Sequence, residues 1–176
     1  MTEKEIISIG KNILDIESSG IKKLKSSLDK NFARAVILLL NNEKKVIFTG
    51  LGKSGYIARK ISSSFTSTGI SSIYLHPSEA SHGDLGIIER DDILILVSNS
   101  GETKEIFDIL DFAKYRDIKI ISITSNSSST ISRNSFITLK LPKYKEADKL
   151  GIVPTTSTTM CLALGDALCC TVLNYR

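Results

Sequence analysis

The sequence predicts an α/β fold, in which a parallel β-sheet is covered by helices on both faces. Three observations lead to this prediction. Short apolar runs alternate with segments of helical periodicity from about residue 43 onward. The runs are apolar at consecutive positions, as strands buried on both faces are. Nearly every run is followed by a loop rich in Ser, Thr and Gly, and parallel strands bring such loops to one edge of the sheet.

The first 42 residues are predicted to form helices that precede the sheet. Four isoleucines recur there at helical spacing: Ile6, Ile9, Ile13 and Ile16. A second apolar segment, NFARAVILLLNN, ends in an Asn pair, and Gly20 is expected to mark a break or bend between two helices. The prediction is a single domain over 1–176, with N-terminal helices over 1–42 and the sheet core and closing helix over 43–176.

The remaining elements follow in alternation. Five strands are predicted: KKVIFTG, SSIYLHP, DDILILVSNSG, IKIISITSN and SFITLKLP. Three long helices are predicted: SGYIARKISSSFTSTG, ETKEIFDILDFAKYR and the closing TTSTTMCLALGDALCCTVLNY. Right-handed crossovers would connect the strands, and a ligand would bind in the crevice at their carboxyl ends.

Composition argues against several classes of partner. The net charge is only +4, and the lysine cluster IKKLK is interpreted as a solvated helix face. Trp is absent and aromatic residues do not alternate with basic ones, so no nucleic-acid partner is expected. No membrane partner is expected either, because no apolar run approaches the roughly 18 residues of a membrane span. The charged N-terminus MTEKEIISIG lacks a signal core, which predicts a cytoplasmic location.

The three cysteines, Cys161, Cys169 and Cys170, all lie in the apolar closing helix. Neither a C-x-x-C pair nor a nearby histidine accompanies them. They are therefore expected to be buried small hydrophobic residues rather than zinc ligands or disulfide partners.

The segment FTGLGKSGYIARK carries the G-x-G-x-x-G spacing of a dinucleotide-binding turn and the Gly-Lys-Ser end of a nucleotide P-loop. Neither interpretation holds. A dinucleotide site needs an acidic residue at the end of the second strand, where His76 and its neighbours stand. The P-loop needs a glycine at position 47, which is Ile47. What remains is a tight glycine turn that presents Lys53 and Ser54 to a small phosphorylated ligand.

The loops after the strands are GLGKSG, HPSEASHGDLG, SNSGET, TSNSSST and KYKEADKLGIVPTTSTT. Their hydroxyl and backbone N–H groups, placed at helix N-termini, would form an anion site. The alternative is ordinary helix capping, because Ser and Thr are favoured caps. The recurrence of such loops at one edge favours a phosphate pocket.

Few residues can serve as acids or bases in these loops. His76 and His82 are the only histidines, and both lie in one loop. Glu102 opens the helix after SNSG, where it could simply complement the helix dipole. Glu146 lies in the polar loop before the last helix, where it could simply be a solvated acid.

The motifs GLGKSGYIARKI, STGISSIYLHPSEASHGDLG, SNSGET and LGIVPTTSTTMCLALGDAL together resemble the arabinose 5-phosphate isomerases, which are sugar isomerase (SIS) domain proteins. The resemblance runs from about Val46 to Tyr175. SNSGET alone would indicate only a SIS domain, whereas HPSEASHGDLG with TTSTT and LGDAL is more specific.

The resemblance implies a three-layer αβα sandwich with a five-stranded parallel sheet, of the SIS-type (flavodoxin-like) fold, often assembled as a homotetramer. It implies Lys53, Glu102, Glu146 and His82 as catalytic positions. It also implies that two loops hold the phosphate. The first loop contributes Ser98, Asn99, Ser100 and Thr103, and the second contributes Thr155, Thr156, Ser157 and Thr158. We add Ser54 of the glycine turn as a further phosphate-binding residue.

The implied reaction interconverts ribulose 5-phosphate and arabinose 5-phosphate through an enediol, on the way to the octulosonate sugar of lipopolysaccharide. Such chemistry needs a carboxylate base, an oxyanion donor and a phosphate anchor, and requires no cofactor or metal. Glu146 is the leading candidate for the base and Glu102 the second, with Lys53 and His82 as electrostatic or proton-transfer partners. The alternatives are another phosphosugar isomerase and a non-catalytic sugar-phosphate-binding module.

The sequence departs from the family pattern in three places. It stops at Arg176, before the family's Ser-His-Pro-Gly-Gly segment, and it lacks the family's CBS domains. The family's Glu-Ala-Cys-Pro-Leu-Gly is here EADKLG, with Asp148 and Lys149 at the two changed positions. Either a domain cut from a longer enzyme or a natural short form with altered catalysis is expected, and the apolar end TVLNYR favours the former.

Overall fold

The computed structural model describes residues 2–176, which contain five strands and seven α-helices. The strands are β1 (Val46–Gly50), β2 (Ser72–Tyr74), β3 (Ile93–Val97), β4 (Lys119–Thr124) and β5 (Ile137–Lys140). The helices are α1 (Glu3–Ser27), α2 (Lys30–Leu40), α3 (Gly52–Ser67), α4 (Pro77–Ser81), α5 (Phe107–Tyr115), α6 (Thr130–Arg133) and α7 (Thr156–Asn174). Short 3₁₀ helices cover Asp84–Ile87 and Lys104–Ile106.

All neighbouring strands pair in parallel, in the order β2-β1-β3-β4-β5. Every residue of β1 and β3 is buried, which explains their continuous apolar runs. The chain moves outward from β1 to β2 and then returns past β1 to β3. This reversal opens a crevice at the carboxyl ends of β1 and β3, where ligands bind in open α/β sheets.

Each face of the sheet packs against its own helices. Phe48 of β1 points to the side of α1, α2, α3 and α7, where its ring stacks edge-on with Phe65 at a centroid distance of 5.2 Å. Its neighbour Ile47 points to the opposite side, where α5 contributes Leu110 and α6 contributes Ile131. The period-two alternation of the strand therefore divides the core into two halves. The predicted three-layer αβα sandwich is confirmed.

The prediction of a break at Gly20 is wrong, because α1 continues through it. Gly20 is buried where α1 crosses α7, and a Cβ atom there would lie 2.4 Å from Cγ2 of Thr156. The glycine thus serves close packing of the two helices. The break comes at Leu28, whose backbone is extended, and Asp29 then caps α2 by accepting a hydrogen bond from Asn31 N at 2.8 Å.

Helix α7 is a core element of this domain. Among the described residues it alone is long and apolar enough to cross a membrane by length and composition, with a mean hydropathy of 1.4. A soluble core helix meets the same criterion, and Leu164, Leu168 and Val172 are buried against the sheet and its neighbouring helices. The expectation that no apolar segment approaches the length of a membrane span is therefore wrong for α7, which meets that criterion by length and composition.

The cysteines of α7 do not share one environment. All three are free thiols; Cys161 and Cys169 are buried, whereas Cys170 is exposed. The prediction of burial is therefore wrong for Cys170. Successive residues of a helix point about 100° apart, and this rotation brings Cys170 to the exposed side of α7 while Cys169 stays buried.

Candidate active site

A cavity of about 400 Å³ lies at the carboxyl edge of the sheet. Val97 and Ile123 mark the ends of β3 and β4 in its wall, and Leu51 and Leu141 follow β1 and β5. The crevice that the strand order predicts is therefore present.

Another cavity, of about 380 Å³, lies at the opposite, amino edge, and includes Asp92. The Asp92 carboxylate is engaged structurally, because it accepts hydrogen bonds from Lys45 N at 3.0 Å and Glu89 N at 2.8 Å. It also pairs with Lys45 Nζ at 3.5 Å. The polar loops that follow the strands lie at the carboxyl edge instead.

Lys53 and Glu146 are the only charged residues in the lining of the carboxyl-edge cavity, among the residues that the structure describes. Lys53 and Ser54 lie in the first turn of α3, directly after β1. Gly55 permits this arrangement, since a Cβ atom there would lie 2.6 Å from Gly50 O. The glycine turn therefore draws the start of α3 onto the strand end, and both predicted side chains reach the cavity lining.

Glu146 is held at the N-terminus of α7. Its Oε2 atom accepts hydrogen bonds from Thr155 N at 2.8 Å, Ser157 N at 3.2 Å and Thr155 Oγ1 at 3.0 Å. Thr155 is the N-cap residue of α7, but its side chain accepts no hydrogen bond from the N–H groups of the helix. The carboxylate of Glu146, nine residues earlier, accepts hydrogen bonds at the helix start instead. All three bonds end on the same carboxylate oxygen.

These contacts set the ionisation of Glu146. Partial burial raises its pKa, but hydrogen bonds from Ser157 and Thr155 outweigh burial and hold the pKa below its usual range. Glu146 is therefore a carboxylate at neutral pH. It can accept a proton from a ligand in the cavity.

The loop after β3 is already ordered by its own hydroxyl groups. The hydroxyls of Ser98 and Thr103 lie 2.8 Å apart, and Gly101 N donates to Ser98 Oγ at 3.0 Å. Glu102 N donates to Ser100 Oγ at 3.2 Å. Asn99 is the residue of this loop that lines the cavity.

Glu102 and His82 lie outside the cavity lining. Glu102 Oε1 accepts a hydrogen bond from Thr130 N at 2.8 Å, and the backbone and side chain of Thr130 hold the pKa of Glu102 below its usual range. This contact ties the β3 loop to the start of α6. His82 is exposed at the C-terminus of α4.

The TTSTT segment divides between two sides of α7. Ser157 and Thr158 line the cavity, and the Thr158 hydroxyl donates to Thr155 O at 2.8 Å. The Thr155 hydroxyl accepts from Ala147 N at 2.8 Å. Thr156 is fully buried against Gly20 of α1, away from the lining.

The apolar part of the wall was not predicted. Ile57 of α3, Ile152 before α7 and Cys161 of α7 all contribute to it. Cys161 could have been found from helical spacing, because it follows Ser157 by four residues on the same face. Burial raises the pKa of its thiol to about 12, so Cys161 is a neutral, apolar part of the wall.

Comparisons with known proteins identify the domain. The family model described as SIS domain matches residues 39–170. The arabinose 5-phosphate isomerase KdsD of Francisella tularensis is 48% identical over 166 residues, which cover 93% of this chain and 50% of that protein. An uncharacterized protein of Rickettsia prowazekii is 45% identical over 168 residues, covering 96% and 52% of the two chains. The chain thus spans about half the length of the curated relatives it matches.

A solved structure extends the comparison to three dimensions. The protein c3406 of Escherichia coli CFT073, in complex with arabinose 5-phosphate, superposes with a TM-score of 0.96 at 36% identity. The superposition covers 99% of this chain and 93% of that one. The resemblance stated from the loop motifs is confirmed by these matches. The chain belongs to the SIS-domain family, and its curated relatives include arabinose 5-phosphate isomerases.

Proposed function

We propose that this domain carries the active site of an aldose–ketose isomerase that interconverts ribulose 5-phosphate and arabinose 5-phosphate. The observation that carries the proposal is that Lys53 and Glu146 both line one cavity, whose wall also contains apolar side chains. The names of the KdsD relatives and the sugar phosphate bound to the Escherichia coli protein support the choice of substrate.

Glu146 is assigned as the base. In the direction from ketose to aldose, it removes a proton from C1 of ribulose 5-phosphate and returns one to C2, while a hydroxyl proton moves from O1 to O2. The hydrogen bonds on Oε2 fix the carboxylate at the start of α7, and Glu146 is part of the cavity lining. Glu102, the second candidate, is less suited because its Oε1 is bound to Thr130 outside the cavity lining.

Lys53 is assigned to the oxygen that becomes negative in the enediolate. A cation beside a developing oxyanion lowers the barrier, and Ile57 and Ile123 make the adjoining wall of the cavity apolar. His82 keeps its predicted proton-transfer role only if the loop that carries it moves toward the cavity, because it is exposed outside the lining.

The phosphate is assigned to the loop of Ser98, Asn99, Ser100 and Thr103, with Ser54 at the cavity wall. An electrostatic argument favours this side. The N–H groups of Thr155 and Ser157 already hold the Glu146 carboxylate, and a phosphate bound there would meet a like charge. The β3 loop precedes the 3₁₀ turn Lys104–Ile106 and α5, so the two anions would lie beside different elements of the fold.

The wider role is part of the same proposal. Arabinose 5-phosphate made in the cytoplasm would supply synthesis of the octulosonate sugar of lipopolysaccharide. The domain would act as a homotetramer, and the exposed apolar side chains Ile6, Ile7, Ile9 and Leu14 on α1 supply a surface for another copy. Light scattering at several protein concentrations would test the assembly.

The activity is tested by an NMR time course with purified protein and ribulose 5-phosphate in heavy water. We expect arabinose 5-phosphate to appear with solvent deuterium at C2, because the base exchanges its proton with solvent. The Glu146→Gln variant is the matched control, since it keeps the size of the side chain and loses the base. The same assay with hexulose and sedoheptulose phosphates separates this reaction from other phosphosugar isomerisations.

Two outcomes would contradict the proposal. Faster turnover of another phosphosugar would assign a different isomerase. Binding of ribulose 5-phosphate, seen as shifted cavity resonances, without any exchange of carbon-bound protons would favour a non-catalytic sugar-phosphate module.

A further inference from the structure

The loop between Glu146 and α7 forms part of the cavity wall. Gly151, Ile152 and Pro154 all line the cavity. Little apolar packing holds this loop in place, since Leu150 is 79% exposed and Ile152 is 72% exposed. Its shape must therefore come from polar contacts.

One residue supplies those contacts. Asp148 Oδ2 accepts hydrogen bonds from Leu150 N and Ile152 N, each at 3.1 Å, and Oδ1 accepts from Val153 N at 3.1 Å. The Asp148 carbonyl accepts from Gly151 N at 3.2 Å. Four consecutive backbone N–H groups thus converge on a single residue.

The charge of Asp148 strengthens this arrangement. The hydrogen bond from Ile152 lowers the pKa of the Asp148 carboxyl, whereas desolvation raises it. The hydrogen bonds from Val153 and Leu150 lower it further, so the pKa lies below its usual range. The carboxylate is therefore ionised at neutral pH, and hydrogen bonds to an ionised acceptor are stronger than those between neutral groups.

We propose that Asp148 is a positioning residue that shapes the mouth of the cavity and thereby sets the affinity for the sugar phosphate. The proposal rests on the proposed function for the identity of the ligand. Asp148 contacts the loop that carries Gly151 and Ile152, and it would act on the substrate only through them.

The structure separates Asp148 from the base. Glu146 is held by Thr155 and Ser157 at the start of α7, and Ala147 N is bound to the Thr155 hydroxyl. None of these bonds involves Asp148. Loosening the loop should therefore weaken binding of the substrate while the proton transfer by Glu146 continues.

The experiment compares Asp148→Ala and Asp148→Asn with wild type. Asn keeps the shape of the side chain but replaces one acceptor oxygen with an N–H donor. We expect both variants to raise KM for ribulose 5-phosphate roughly tenfold and to keep kcat within about threefold of wild type. Asp111→Asn is the matched control, because Asp111 is an exposed acid on α5 and its loss changes the net charge equally.

A second measurement does not depend on activity. Hydrogen exchange followed by NMR should show the amides of Leu150, Ile152 and Val153 exchanging at least about tenfold faster in Asp148→Ala, with the amides of β1 and β3 unchanged. Unchanged exchange in the loop, or a fall in kcat at constant KM, would overturn the inference.

The two proposals can fail separately. If wild type binds ribulose 5-phosphate without converting it, the proposed reaction fails, and the dissociation constants of the same variants decide the role of Asp148. If wild type neither converts nor binds the sugar phosphate, both the proposed function and the effect of Asp148 on affinity are overturned.

Discussion

The backbone N–H of Thr155 lies 2.8 Å from Oε2 of Glu146, and the Thr155 hydroxyl lies 3.0 Å from the same oxygen. A single threonine thus supplies two of the contacts that place Glu146, the one acidic side chain that the described residues contribute to the cavity lining. The carboxylate replaces the side-chain cap that α7 lacks. The stability of the helix start and the orientation of the proposed base are therefore coupled.

Substitution of Glu146 by Gln should abolish turnover and leave binding of the phosphosugar largely intact. The amide cannot accept the substrate proton, and loss of a general base lowers kcat by roughly 10²–10⁴-fold. Steady-state kinetics and calorimetric titration with ribulose 5-phosphate measure the two effects. Glu102→Gln is the control and should retain most activity, because Glu102 lies outside the cavity lining. Wild-type rates in Glu146→Gln would remove this residue from the base role.

The Glu146 carboxyl should titrate below the ordinary glutamate pKa of 4.5, because its hydrogen bonds favour the charged form. Carbon-13 NMR of labelled glutamate side chains measures the midpoint, and the resonance is assigned by its absence in Glu146→Gln. Thr155→Val removes the hydroxyl and should move the midpoint upward. A midpoint above 4.5 in wild type would contradict the structure.

The same shift has a consequence for stability. The folded pKa of Glu146 is depressed, so the stabilisation it provides is fully present above the unfolded pKa and is lost as pH falls through the folded pKa. Wild type should therefore lose more thermal stability than Glu146→Gln when the pH is lowered from about 5 through the region below 4.5. Parallel curves for the two proteins would show that the contact contributes nothing.

Replacement of Lys53 by Ala should lower kcat/KM by roughly 10²–10³-fold, as the loss of an oxyanion partner does in other enzymes. The melting temperature should stay unchanged, because Lys53 is exposed at the first turn of α3. Kinetics and differential scanning calorimetry test both statements. Lys44→Ala, at the opposite edge of the sheet, is the charge-matched control. An equal loss of activity and stability would point to a structural role instead.

One thiol should react rapidly in the folded protein, and all three should react after denaturation. Cys170 is exposed, whereas Cys161 and Cys169 are buried and burial raises the pKa of both thiols. Titration with a chromogenic disulfide reagent at neutral pH counts the reactive groups. The Cys170→Ser variant should then show no rapid phase, and rapid labelling of Cys161 would mean that the cavity wall opens.

The Gly20→Ala substitution should destabilise the domain, although alanine is the better helix former. The added Cβ would lie 2.4 Å from Cγ2 of Thr156, and overpacking of this kind costs roughly 1–3 kcal/mol. Gly10→Ala is the matched control in the same helix, because a Cβ there has no neighbour within 4 Å. It should stabilise the protein slightly. Chemical denaturation of the two variants gives the comparison, and equal stability would argue against close packing of α1 on α7.

Much of the fold follows from local patterns in the sequence. Consecutive apolar residues in β1 and β3 determine strands buried on both faces, and the intervening helical periodicity determines the covering helices. The catalytic role of Glu146 was implied only by the resemblance to the arabinose 5-phosphate isomerases. Parallel strands bring their following loops to one edge, which is why Lys53 was expected where those loops converge. These features depend on backbone geometry that neighbouring residues already specify.

The direction of each polar side chain within those loops was decided only by the tertiary structure. Thr156 and Ser157 are adjacent, yet one packs against Gly20 of α1 and the other lines the cavity. Glu146 and Asp148 are two residues apart, yet one caps α7 and the other orders a loop. Such roles depend on which unpaired N–H groups a long-range fold leaves within reach, and on how closely α1 and α7 pack. Residue spacing along the chain carries neither kind of information.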